Sequence, residues 1–576
     1  MCRRPGWTSL DGAWEFALDR DARCAHPGEV TWEHSIEVPF SPETPRSGIA
    51  ETGYFQACWY RRTLAVPALE PGERLLLHFG AVDHAASIWI DGAQVATHEG
   101  GYTPFTVDLT RSLRGQDSLE LVVRAADDPH DLCKPRGKQD WLREPHSIWY
   151  PRTSGIWQTV WLERVPAVSI GGLRWSSNLT RWEIDVSVQI HGAFRPGVRL
   201  RLRLQVGEQL LADDLCQLTH PELYRRIALS DPGIDDARNS LLWSPETPTL
   251  IDARVELQDA DGTVLDAVDS YTAIRTISVE RDQIVLNGRP IKLRMVLDQG
   301  YWPDTGMTAP DDAALRRDVE LARAMGFNGV RKHQKIEDPR YLYWADRLGL
   351  LVWAEMPSAY RFTRPAIQRL VSEWMAVLER DVSHPCIVAW VPFNESWGVP
   401  NLPDNQAERH YVQALYHLTR TLDPTRPVIG NDGWESVTTD IIGIHDYQID
   451  PSLLDARYQE PEIRAGLHAQ RYGGRSLLVQ EHKGDQPVVL SEFGGVALSS
   501  DARTWGYVRS ESARQLEGLL GRLFAAVRQQ ELFAGYCYTQ FADTYQEANG
   551  LLYADRTPKI PLARIAAFNG VGPPGE

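Results

Sequence analysis

Period-two apolar alternation over residues 10–276, followed after 277 by short apolar runs alternating with helix-length segments, predicts a multidomain β plus α/β protein. The expected order is an N-terminal jelly-roll sandwich (1–165), an immunoglobulin-like sandwich (166–276) and a C-terminal (β/α)8 TIM barrel (277–576). A length of 576 residues accommodates three such domains, and 43% apolar with 24% charged residues is an ordinary globular balance.

In the first segment RLLLHF (74–79) and ASIWI (86–90) read as strands, and Asp91-Gly92 before AQVATHE is a hairpin turn signal. LELVVRA ends near 125, and WQTVWLE (157–163) follows a long polar stretch. In the second, EIDVSVQI, VRLRLRLQV and ARVELQDA keep the two-residue period; the arginines of VRLRLRL are expected on a solvated sheet face. Eight strand candidates then follow, at 291–297, 327–331, 350–354, 387–391, 427–430, 441–445, 488–492 and 534–540. Helices are expected at 311–325, 365–381 and 511–529.

Sixty basic against 77 acidic residues give a net charge of −17, the wrong sign for nucleic acid or an anionic membrane. No window approaches a membrane span, and the first residues hold no apolar h-region, so no export signal is expected. Seven scattered cysteines without a C-x-x-C pair suit a reduced, cytoplasmic setting. No H-E-x-x-H, paired Cys/His set or EF-hand loop occurs, so neither metal nor cofactor is expected. Twenty tryptophans offer flat faces suited to stacking on sugars.

Barrel enzymes hold their reacting groups just past the C-terminal ends of the strands. There the chain carries Asp298 and Gln299, Arg331 and His333, Glu355, Asn394 and Glu395, Asn431 and Asp432, His445, Asp446 and Tyr447, Glu492, then Gln540 and Asp543. Glu395 and Glu492 follow the fourth and seventh candidates, nearly opposite across an eight-strand ring. Glycoside cleavage needs such a pair, one carboxylic acid for the leaving oxygen and one carboxylate across the anomeric carbon. As general acid, Glu395 is expected to have its pKa raised by burial and by Glu492. The amide of Asn394 suits a sugar 2-hydroxyl, Tyr447 can donate to Glu492, and Arg331 can orient it. His333 and His445 stand where they can reach substrate, whereas His384 sits in a turn at the opposite end of the barrel. Trp302, Trp397 and Trp505 are stacking candidates, Trp397 foremost because it follows Glu395 by two residues.

NESWG (394–398), preceded by RDVSHPCIVAWVPF, resembles the acid/base segment of glycoside hydrolase family 2, and SEFGG (491–495) resembles its nucleophile segment. The likeness runs in order through SLDGAWEF, WYRRTL, HEGGYTPF, SGIWQTVWLE, LWSPETPTL, LNGRPIKLR and NGLLYADRTPK. It implies catalytic Glu395 (acid/base) and Glu492 (nucleophile); the reading of the residues adds Asn394, Tyr447, Trp397, Asp298, Arg331, His333, His445, Glu355 and Gln540 as the expected substrate-binding set. The chain departs from the family in Arg331-Lys332-His333-Gln334, where Arg-x-x-His is common, in DQGYWPD (298–304) and in Ala354-Glu355. The uronidase members' Asn-x-Lys, which grips a sugar carboxylate, reads Asn549-Gly550-Leu551 here; Lys332 or Lys335 could replace the missing lysine. The resulting expectation is a retaining exo-β-glycosidase acting on a small glycoside or oligosaccharide. A galactoside is named first, with a uronidase or furanosidase as alternative and a non-catalytic sugar-binding protein as the reading of another class. Homo-oligomers are compatible with this, and the long polar loops 44–56 and 127–152 are candidates for partner or subunit contacts.

Overall fold

The computed structural model describes residues 3–192, 194–458, 475–479, 484–501 and 503–572. The chain divides into two compact units. One comprises Met1–Pro129, Thr153–Thr276 and Glu379–Pro385; the other comprises His130–Arg152, Ile277–Leu378 and Cys386–Glu576.

The first unit holds two antiparallel sandwiches. A six-stranded sheet runs His34–Val38, Gly12–Asp19, Ala57–Ala65, Ser118–Ala126, Ala85–Ile90, Ala93–Glu99, and a four-stranded sheet comprises Trp7–Ser9, Val160–Val165, Arg74–Phe79 and Phe105–Asp108. Alternate residues of both sheets, among them Phe16, Tyr60, Leu77, Ile88 and Val123, are fully buried in one core. Asp91 (φ 48°) and Gly92 (φ 78°) both take left-handed conformations, as a two-residue type I′ hairpin requires. In the second sandwich Leu200, Leu202 and Leu204 are buried while Arg201 pairs with Asp213 on the opposite, solvated face.

The second unit carries a curled parallel sheet of seven strands: β1 (Leu293–Asp298), β2 (Gly329–Lys332), β3 (Leu351–Glu355), β4 (Ile387–Val391), β5 (Ile442–His445), β6 (Val488–Gly494) and β7 (Phe533–Thr539). Their order is β4-β3-β2-β1-β7-β6-β5. The fifth expected strand, 427–430, is corrected: it makes a single parallel bridge, Trp390 to Val428. On its far side Val428 N donates to Asp440 Oδ2 and Gly430 N to Thr439 Oγ1, and one backbone bond runs from Asp440 N to the Val428 carbonyl, so no regular ladder forms. Pro427 removes one donor and Gly430 has no room for a side chain against the Thr438 carbonyl, so a regular strand cannot form there. The expected helices occupy Asp312–Ala324, Arg364–Asp381 and Ala513–Gln529; Asp311 and Ser512 cap the first and last through their side chains.

The stretch His130–Arg152, expected to be a polar surface loop, packs as part of the barrel unit instead. Lys134, Arg136, Lys138, Gln139 and Asp140 are all buried. The Arg136 guanidinium ties the loop together by donating to the carbonyls of Asp131, Gln139 and Asp140. Gly137 N donates to the Ser358 carbonyl at 3.1 Å. At φ +55° Gly137 passes so close to the barrel that a Cβ would lie 2.2 Å from the Gln334 carbonyl oxygen. We therefore expect Gly137→Ala to lower stability by at least about 1 kcal/mol from backbone strain alone. An unchanged unfolding midpoint in urea would contradict the packing.

Candidate active site

The C-terminal ends of the strands converge on one buried guanidinium. Arg331, at the end of β2, donates from Nε to Glu355 Oε2 (2.8 Å), from one terminal nitrogen to Glu492 Oε1 (2.8 Å) and from the other to Asn394 Oδ1 (2.6 Å). Asp432 Oδ2 lies 3.0 Å away. Five donors in a rigid fork make arginine, and not lysine, fit for such a hub. Burial would raise the carboxyls here. At Asp432 it is overcome by Arg331, His445 and Ser491, and at Glu492 by His445, Arg331, His333 and a bond from Tyr447, so both are held below their ordinary values. At Glu355, burial wins and the carboxyl is pushed up to about 7.

Glu395 follows β4 in a sharp turn with φ +49°, and Ser396 continues it at φ +56°. Non-glycine residues stay in this region only when their surroundings hold them there. Glu395 N donates to the Asp432 carbonyl, Ser396 N to Asn431 Oδ1, and Ser396 Oγ to Glu435 Oε2. Its carboxylate meets His445 Nδ1 at 2.7 Å, while His445 Nε2 lies 3.2 Å from Asp432 and 3.4 Å from Glu492. Burial would lower this imidazole, but Glu492, Asp432 and Glu395 outweigh it and raise it to about 10. Glu395, His445 and Glu492 bring ligand-type atoms within 4.8 Å of one another.

The raised imidazole has a pH signature. A His pKa above its unfolded value near 6.5 contributes stability that is complete below that pH and lost as the pH climbs through about 10. The wild type is expected to lose stability between pH 7 and 10 more steeply than His445→Gln. Parallel stability curves would rule the charged imidazole out.

Tyr447 donates to Glu492 Oε2 at 2.5 Å and stacks on Tyr507, centroids 3.3 Å apart. His333 is buried with Nδ1 3.0 Å from Glu355 but not aligned for a hydrogen bond; burial, Lys138 and Arg331 hold it neutral, well below its ordinary pKa. Trp397 is half-buried, stacked at 5.9 Å on Trp149 and tilted against Tyr360. Trp505 packs edge-on against Tyr507. Unpartnered buried polar atoms remain on Asn394 (Nδ2), Gln299 (Oε1), Gln540 (Nε2) and Asn549 (Oδ1). Buried polar groups are usually paired, so these four are available to hydrogen-bond a further molecule.

Several expected ligands are already committed to protein partners. Glu355 is fully buried and accepts from Arg331 Nε and from the Gln334 backbone N. Asp298 binds Lys332 Nζ at 2.6 Å and Gly300 N. Lys332 also meets Glu337 at 2.6 Å, and Lys335 is taken by Glu337 and the carbonyls of Gly300 and Met307. Neither lysine is free to grip a substrate carboxylate. Trp302 is buried beneath Arg556 and Lys335 and fills the core. Tyr507 and Glu547 were not singled out from the sequence, and Asp432 was placed past the fifth strand candidate without a role.

Three family models match the chain. The TIM barrel domain of the glycosyl hydrolases family 2 covers residues 277–567, the glycosyl hydrolase 2 galactose-binding domain-like model 49–157, and the glycosyl hydrolases family 2 model 173–275. A β-galactosidase of Vibrio cholerae serotype O1 is 25% identical over 97% of this chain, which spans only 56% of that relative's length. Among solved structures, the β-glucuronidase of Bifidobacterium dentium complexed with coumarin-3-O-glucuronide superposes with a TM-score of 0.81 at 21% identity, covering 99% of this chain and 98% of the other. The β-galacturonidase of Eisenbergiella tayi bound to glycerol gives 0.73 at 19%, covering 99% and 97%. At such identities the likeness is one of fold.

Proposed function

Because the chain belongs to glycosyl hydrolases family 2, we propose that it is a retaining exo-β-glycosidase removing one terminal sugar from a small glycoside or oligosaccharide. The observation that carries this reading is the approach of the Glu395 and Glu492 carboxylates, an oxygen of each lying within 4.8 Å. Inverting enzymes separate the pair by roughly 6.5 to 9.5 Å to admit a water, and retaining ones by about 5 to 5.5 Å.

In this mechanism Glu492, held ionised by Arg331 and Tyr447, attacks the anomeric carbon while Glu395 passes its proton to the departing oxygen. A covalent glycosyl-enzyme results. Glu395, now a carboxylate, takes a proton from water as that water's oxygen attacks the same carbon, and Glu492 leaves. Asn394, its Oδ1 fixed by Arg331, keeps Nδ2 free to donate to the sugar 2-hydroxyl. His445 positions Glu395. The boundaries 1–165, 166–276 and 277–576 are the domains we propose, with 130–152 lent to the barrel. A cytoplasmic setting accords with the unpaired spacing of the cysteines; no helix among the described residues is long and apolar enough to cross a membrane.

Proton NMR of the first-formed sugar tests the stereochemistry. The β-anomer is expected before mutarotation; the α-anomer would replace double displacement with inversion. The names of the relatives leave two glycones in view, a galactoside and a hexuronide.

A further inference from the structure

The choice between them turns on a lysine that the proposed chemistry leaves unused. Lys138 is only 5% exposed, yet among the described residues its ammonium has no hydrogen bond and no carboxylate within ion-pair distance. It lies 5.4 Å over the ring of Trp397, two residues from Glu395, and 5.9 Å from the ring of Tyr150. The Tyr150 hydroxyl donates to Glu547 at 2.5 Å, and Glu547 bridges to Trp505, which packs on Tyr507 and so on the Tyr447 that holds Glu492. Lys138 therefore borders the ring that follows Glu395 and the tyrosine from which this chain of contacts leads to Glu492.

Its position is built in, because the Arg136 clamp and the backbone bonds of Arg136 and Gly137 to Ser358 fix the loop on both sides of it. Tyr360 donates to the Gly137 carbonyl, and Tyr150 N to the Lys138 carbonyl at 2.8 Å. Glu547 feels the charge of Lys138 but has both oxygens engaged, Oε2 by Tyr150 and Oε1 by Asn549 Nδ2, and burial raises its carboxyl. A lysine held at 5% exposure with no hydrogen bond from its ammonium among the described residues, on a loop fixed on both sides, is placed to receive an anion from outside. Beside it, Asn549 Oδ1 is an unpartnered acceptor for a hydroxyl.

We infer that Lys138 receives the carboxylate of a hexuronic acid glycone, so that the substrate is a β-hexuronide and not the galactoside named first from sequence. This rests on the glycosidase reading above and specifies its sugar. The cation comes from the 130–152 loop and replaces both the lysine absent at Leu551 and the occupied Lys332 and Lys335.

The test compares 4-nitrophenyl β-D-glucuronide, β-D-galacturonide, β-D-galactoside and β-D-glucoside with the full chain and with Lys138→Met and Lys138→Arg. Met keeps the length of the stem, so folding should survive, checked by circular dichroism and thermal unfolding. A uronide should be the preferred substrate. Lys138→Met should lower its kcat/KM roughly 100-fold, chiefly through KM, as expected for a lost hydrogen bond to a charged group. The loss on neutral glycosides should be several-fold smaller, and Lys138→Arg should recover part of the uronide loss. Preference for a neutral glycoside, or equal loss on both classes, overturns the inference while leaving the glycosidase reading intact. If nothing is cleaved, calorimetry with D-glucuronate, D-galacturonate and D-galactose decides. Uronate binding that Lys138→Met abolishes keeps the inference and removes the hydrolase; no uronate binding removes the inference as well.

Discussion

Glu492→Ala should abolish turnover on whichever glycoside the wild type cleaves, by roughly 10⁴-fold or more, because it removes the group that forms the covalent bond and not one that merely assists. Azide should restore cleavage of an activated nitrophenyl glycoside by entering the space of the lost carboxylate. The product should then be the α-glycosyl azide, since the anion attacks from the Glu492 side. Glu395→Ala with azide should instead form the β-azide, because the covalent intermediate still forms and azide arrives from the opposite face. Two azides of opposite configuration from the two variants would assign both roles at once. Equal activity of Glu492→Ala and wild type, or the same anomer from both variants, would dismiss the assignment.

The carboxylate pair was legible because its signal is local: an acid within a few residues of an apolar run, twice, on strands that a parallel barrel sets facing each other. Burial and prior engagement are not local. Nothing around Glu355 tells that Arg331 and the Gln334 backbone N bind its oxygens, nor that Lys332 and Lys335 close on Glu337, a carboxyl they hold down near 2 against its burial. Residues 427–430 looked like a strand by apolar content, yet their outer edge is satisfied by Asp440 and Thr439 side chains, which periodicity does not register. Lys138 was the hardest to see. It precedes the first barrel strand by some 150 residues, in a polar stretch that reads as surface. Its one sequence cue is an Arg-Gly-Lys in which the arginine folds the loop and the glycine permits contact with the barrel.

Arg331 should be the most destructive single position for the structure of the site. Replacing it by Met leaves Glu355, Asp432 and Glu492 facing one another in the interior without their common cation, and breaking a buried pair costs about 3–5 kcal/mol. The barrel unit should therefore unfold at markedly lower temperature and urea concentration. Arg201→Met on the exposed Arg201–Asp213 pair is the control, for which no measurable change is expected. Catalysis should report the same loss in a different way. Without Arg331, one of the forces that holds Glu492 ionised is gone, so the acidic limb of the kcat/KM profile should move to higher pH. Arg331→Lys restores a charge but not the fork, since one ammonium cannot reach Glu355, Glu492 and Asn394 in their present directions. It should recover part of the stability and little of the activity, because Asn394 would lose the bond that fixes its amide towards the substrate. Wild-type activity in Arg331→Lys would mean that charge alone suffices and that the directed bonds do not matter.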